Sequence, residues 1–114
     1  MQVFGITGMF LAFSYRFHAG LIRAPMPFWV YILECSNAVG ENTYYTGYTN
    51  NLQRRVREHS MGRGARYTKG KRLELKYCEV HTTQREAMQR EIAIKHLSRA
   101  KKGKLVQQFH NQRN

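Results

Sequence analysis

The sequence predicts an α/β fold of the α+β type, a small three-stranded sheet packed against helices in the order β-β-α-β-α, with room for one more helix. Three observations predict it. Two runs rich in aromatic and β-branched residues, 28–34 and 43–48, are separated by a short stretch of turn formers. A third run, 73–80, alternates in part, with Leu73, Leu75 and Tyr77 set against Glu74 and Lys76. Between and after these strands lie two segments with helical apolar spacing.

Each element has its own signal. The first strand, Phe28-Trp29-Val30-Tyr31-Ile32-Leu33, has the residue types that suit a pleated, half-buried surface. Ser36-Asn37 and Gly40 mark the loop before the second strand, Thr43-Tyr44-Tyr45-Thr46-Gly47-Tyr48. Thr49 or Asn50 is the expected cap of a helix running to about Ser60, because a side-chain oxygen there can accept a free amide of the first turn. A basic loop with Gly62, Gly64 and Gly70 follows. Thr83-Gln84-Arg85-Glu86 matches a capping box and opens a helix expected to end near Leu97. Ser98 to Lys102 is read as the start of a short basic C-terminal helix. The predicted organisation is an N-terminal extension at 1–26, poorly ordered or a misassigned start, then a domain at 27–106 and a tail at 107–114.

Composition narrows the partners. The 114 residues carry 19 Lys and Arg against seven Glu and no Asp, a formal charge of +12. Such a surface suits a polyanion, with nucleic acid ahead of an anionic membrane. The apolar run from Val3 to Tyr15 is too short to span a bilayer. No membrane partner is expected, and the protein is read as cytoplasmic. Cys35 and Cys78 have no metal-ligand spacing and are read as reduced, buried thiols.

Several residues are candidates for chemistry. On the first helix, Leu52, Arg55, Val56 and His59 share a face, so Arg55 and His59 flank the apolar stripe while Arg54 and Arg57 point to solvent. An arginine held there offers a planar fork to phosphate, or packs its stem on the sheet and pairs with a carboxylate. His59 by itself reads as a hydrogen-bonded structural histidine. On the second helix, Glu91 lies on the apolar face of Ala87, Met88 and Ile94. A carboxylate there needs a cation, which is either a hard metal ion or a basic side chain such as Arg55. Tyr31 and Tyr45 occupy neighbouring strands. A phenol becomes a base only if nearby cations lower its pKa. Arg54, Arg57, Arg63, Arg66, Lys69, Lys71 and Arg72 form the expected nucleic-acid surface, with Tyr67 as a stacking residue.

Taken together, residues 28–106 resemble the GIY-YIG nuclease superfamily, in its small stand-alone YhbQ-like branch. Trp29-Val30-Tyr31 stands at the family's first motif and Tyr45-Thr46-Gly47 at its second. Arg55 follows ten residues after the second tyrosine, and Arg55-x-x-x-His59, Gly62-x-Gly64-Ala65-x-Tyr67-Thr68 and Ala87-x-x-x-Glu91 complete the pattern. The resemblance implies a mixed three-stranded sheet and a metal-dependent endonuclease. The substrate would be DNA in preference to RNA, with a place in repair or recombination, and the cofactor Mg²⁺, with Mn²⁺ as the other option. It makes Tyr31 and Tyr45 the groups that orient or deprotonate water, Arg55 the phosphate clamp, His59 an accessory catalytic residue and Glu91 the metal ligand. Trp29 and Val30 depart from the motif's Gly-Ile, and Tyr48 stands where some members have lysine. The competing functions are a non-catalytic basic nucleic-acid-binding module on the same fold and an RNA- or ribosome-associated protein.

Overall fold

A computed structural model describes residues 26–113 of the chain. The extension read at 1–26 lies, apart from Met26, outside the described residues. The elements are β1 (Phe28–Ser36), β2 (Asn42–Thr49), α1 (Leu52–Ser60), β3 (Arg72–His81), α2 (Gln84–Lys95) and α3 (Arg99–Arg113). The order β-β-α-β-α-α is the predicted one.

The sheet runs β2-β1-β3. Both of its pairings are antiparallel, with Tyr31 opposite Gly47 on one side and Cys78 on the other. The mixed sheet implied by the resemblance is therefore corrected to a wholly antiparallel one. The outer strands β2 and β3 share a direction, but β1 lies between them, so no parallel hydrogen bonds form. The connection through α1 carries the chain across β1 from one edge to the other.

Alternation along β1 sends Tyr31, Leu33 and Cys35 to one face and Val30 and Ile32 to the other. The first face packs on Leu52 and Val56 of α1. The second packs on Ala87 and Ile94 of α2, with Leu105 and Val106 of α3 alongside. Cys35 and Cys78 are buried free thiols, as expected. A bulge in β3 breaks the simple alternation read there. Ile32 pairs with Tyr77 while the next residue, Leu33, pairs with Leu75, so Lys76 is extra. The slip turns Tyr77 to the α2–α3 face and puts Leu73, Leu75 and Cys78 together on the α1 face.

Helix ends also correct the reading in part. Asn51, not Thr49 or Asn50, caps α1, its side chain accepting the Arg54 amide at 3.0 Å. Thr49 instead closes the turn before it, accepting the Asn51 amide at 3.1 Å. Thr83 caps α2 as expected, accepting the Glu86 amide at 3.2 Å. Helix α2 ends at Lys95, two residues before the expected stop. Helix α3 is long, and the stretch read as a tail from 107 is its second half. Phe109 anchors that half edge-on to Tyr77 of β3, and Arg99 anchors the start to the Asn42 carbonyl and the Tyr44 ring.

Candidate active site

The first helix brings two polar side chains into a largely apolar layer. His59 is only 1 % exposed, and its Nε2 lies 2.9 Å from the Tyr31 hydroxyl. Its Nδ1 lies 2.8 Å from Oγ1 of Thr68, whose hydroxyl donates to the Ala65 carbonyl at 3.0 Å. Thr68 gives its hydroxyl proton to Ala65, so its oxygen accepts from His59 Nδ1–H, and Nε2 of the neutral ring accepts from the Tyr31 O–H. The chain of bonds runs one way from Tyr31 to Ala65 with every member satisfied. Arg55 lines the cleft beside Tyr31.

Two glycines permit this packing. A Cβ at Gly47 would lie 2.5 Å from the Tyr31 hydroxyl, and one at Gly64 would lie 2.1 Å from His59 Nδ1. The loop that brings Thr68 to His59 therefore depends on a missing side chain at 64.

The network fixes protonation states. Burial pushes the Tyr31 phenol well above its ordinary pKa of 10, outweighing the opposing pull of Arg55. Burial first, and the Arg55 charge second, lower His59 to about 4. At neutral pH Tyr31 is a neutral phenol and His59 a neutral imidazole. The cation field does not make Tyr31 a phenolate.

An open cleft of about 440 Å³ lies beside this network at the β2 edge. Tyr31, Tyr45, Gly47, Arg54, Arg55, Glu58 and Glu91 are among the residues lining it. The cleft thus joins side chains from both faces of the sheet. Arg55 makes an ion pair with Glu58 at 3.2 Å. Glu91, whose side chain is 14 % exposed, pairs with Lys95 at 3.4 Å one turn along α2. The basic partner of Glu91 is therefore Lys95 rather than Arg55. Among the described residues no group of three His, Cys, Asp or Glu is placed to hold a metal. A Mg²⁺ site built on one carboxylate is still consistent with Glu91, because that ion keeps several waters and takes substrate phosphate oxygens as ligands.

The remaining predicted residues divide. Arg54 lines the cleft, while Arg57, Arg63 and Arg66 are exposed around it or on the following loop. Lys69, Lys71 and Arg72 line a second cavity. Tyr67 is 44 % exposed and has partners on the protein. It stacks near Tyr45 (centroids 6.3 Å, 19° between planes), its hydroxyl donates to Thr43 at 2.6 Å, and Lys71 Nζ lies 3.5 Å from its ring centre. Tyr45 in turn meets the His59 ring edge-on at 5.1 Å. Glu58, Gln84 and Asn50 also line the cleft and were not singled out from sequence. No periodicity marks them, because they come from three separate segments.

The chain matches the GIY-YIG catalytic domain over residues 27–104. A UPF0213 protein of Halobacterium salinarum is 51 % identical over 74 residues, which is 64 % of this chain and 91 % of that protein. The UPF0213 protein YazA of Bacillus subtilis is 43 % identical over 82 residues, 71 % of this chain and 79 % of that one. The solution NMR structure of a UPF0213 protein from Bacillus halodurans is 40 % identical, covers 72 % of this chain and 84 % of that chain, and has a TM-score of 0.43. No helix among the described residues is long and apolar enough to cross a membrane. The matched span contains both tyrosine strands, Arg55 and Glu91, and by that match and these relatives the chain belongs to the GIY-YIG family, a nuclease fold, beside the small UPF0213 proteins.

Proposed function

We propose that this protein is a metal-dependent endonuclease that hydrolyses phosphodiester bonds in nucleic acid, with DNA favoured over RNA. The observation that carries the reading is the single cleft shared by Tyr31, Tyr45, Arg55 and Glu91, with His59 directly behind Tyr31. A net charge of +12 supports a polyanionic substrate.

The residues divide the work as follows. Arg55 spends one donor on Glu58 and has others left for phosphate oxygens, where it stabilises developing negative charge. Tyr45 orients the attacking water from the side of the cleft. Tyr31 takes a proton from that water while passing its own to His59 Nε2, so neither phenolate nor free hydroxide has to accumulate. Phosphate bound against Arg55 offsets the charge that helps to depress His59, which makes His59 a better proton acceptor when substrate is present. Glu91 would hold the divalent ion, Mg²⁺ or Mn²⁺. That ion, when bound, supplies Lewis-acid stabilisation of the phosphate oxygens.

The test is a panel of labelled single-stranded, duplex, flap and branched DNAs and matching RNAs, incubated with Mg²⁺, with Mn²⁺ and without metal. Metal-dependent cleavage is expected, lost by on the order of a thousandfold in Glu91→Ala while binding is retained. Binding without cleavage of any substrate, with either metal, would make the protein a non-catalytic module. Cleavage undiminished in Glu91→Ala would remove that residue from the site.

A further inference from the structure

The second cavity differs from the catalytic cleft in charge. It measures about 870 Å³ and is lined by the 59–62 turn and the 69–72 turn. Its cations are Lys69, Lys71 and Arg72, none of which forms a salt bridge among the described residues. No carboxylate lines it, whereas Glu58 and Glu91 offset the arginines of the cleft. Gly62 and Gly70 turn the backbone with φ of +76° each, so both walls are tight turns without side chains crowding the opening. Ser60, also on the wall, has a buried hydroxyl with no hydrogen-bond partner. Lys71 also lies over the Tyr67 ring, but no carboxylate neutralises the three cations that face this concavity, so an anion bound there gains their combined attraction.

The cavity adjoins the catalytic cleft. His59 lines it, and the same residue contacts Tyr31 of the cleft at 2.9 Å. Lys71 connects the two regions from the other side, through Tyr67 to Tyr45.

We propose that this cavity is a phosphate subsite, which holds a backbone phosphate of the nucleic-acid strand next to the one in the cleft. The proposal rests on nucleic acid being the partner. The subsite fixes the strand's path over the His59–Tyr45 wall. It takes phosphate by charge and not by base, so it adds affinity without sequence preference.

Binding tests it independently of cleavage. In an NMR titration of the full chain with a short DNA single strand in the absence of divalent metal, the amides of Gly62 and Gly70 are expected to shift along with that of Gly47 in the cleft. In Lys69→Gln/Arg72→Gln the cavity shifts should vanish while the Gly47 shift remains. The slope of log affinity against log salt should become shallower by about 0.7, the share of one single-strand phosphate. Arg85→Gln/Lys101→Gln, with the same charge loss on exposed positions elsewhere, should leave the cavity shifts intact. Matching melting curves of the variants would show that the fold is kept. Inorganic phosphate separates the sources. Cavity shifts with phosphate but none with the oligonucleotide would overturn the proposal in favour of a free-anion site. Oligonucleotide shifts confined to the cleft would overturn it while leaving the nuclease reading intact. Cavity shifts in a protein that cleaves nothing would uphold the subsite and sink the nuclease reading.

Discussion

The two faces of the sheet solve different problems. On the α2–α3 face, Val30, Ile32, Ala87 and Ile94 bury one another with 0 % exposure, and the polar groups sit at its rim, where the Tyr77 hydroxyl and Arg90 meet Glu79. On the α1 face, Tyr31 and His59 are buried to the same degree, yet each carries a polar group that must be matched. The first face is limited by volume, since any shortened side chain leaves a cavity. The second is limited by hydrogen bonding, since a half-satisfied network costs more than an apolar core. The comparison teaches where the chemistry can sit. The buried Tyr31–His59–Thr68 chain lies on the α1 face, and the cleft opens beside it.

On the polar face the largest effect should come from Arg55→Ala. On the proposed reading it removes the charge that meets phosphate, and cleavage should fall a hundredfold or more in single-turnover assays. A rate within tenfold of wild type would show that the two faces are not functionally distinct at this position. His59 comes next, through pH. Its folded pKa, about 4, lies below its ordinary 6.5, so the unfolded chain binds the extra proton first. The stability held by neutral His59 is full above about pH 6.5 and is lost as pH falls towards 4, by up to about 3 kcal/mol. Urea melts from pH 7 to pH 4 should therefore be steeper in pH for wild type than for His59→Gln. Equal slopes would mean that the imidazole takes up its proton as readily in the fold as in the unfolded chain.

Gly64→Ala tests the packing that permits the network. Its Cβ would fall 2.1 Å from His59 Nδ1, so the loop must move, at a cost of about 2 kcal/mol. Cleavage should fall further than stability alone explains, because Thr68 moves with the loop. Normal cleavage together with the stability loss would detach Thr68 from function. The smallest effect belongs to the apolar face. Ile32→Val should cost about 1 kcal/mol in denaturant melts and leave the cleavage rate of the folded protein unchanged. A changed rate would show that the faces are coupled through β1.

Much of this was legible before folding. The strand pair, the capped helices and the odd carboxylate at Glu91 all follow from local rules, because caps, turns and periodicity depend on neighbours in sequence. Charge alone pointed to a polyanion. What local rules could not supply was direction and partner. The β3 bulge at Lys76 changes which face Tyr77 occupies, and alternation cannot reveal an inserted residue. The pairing of Glu91 with Lys95 is itself a local i,i+4 contact, whereas its place in the cleft with Tyr31 is not. Tyr67, the expected stacking residue, is exposed and is set in place by Tyr45 and Lys71, neighbours that no local rule names.

The sequence by itself determined the elements, their order and the kinds of side chain available for phosphate chemistry. Tertiary structure alone decided that Tyr31, Arg55 and Glu91 meet in one cleft, that Lys69, Lys71 and Arg72 face another, and that His59 stands between them. The physical reason is one of range. Helix and strand signals act over a few residues, whereas a site is set by how β2, α1, the 60–72 loop and α2 pack around one buried strand, and the contacts of His59 alone reach positions 9 and 28 residues away.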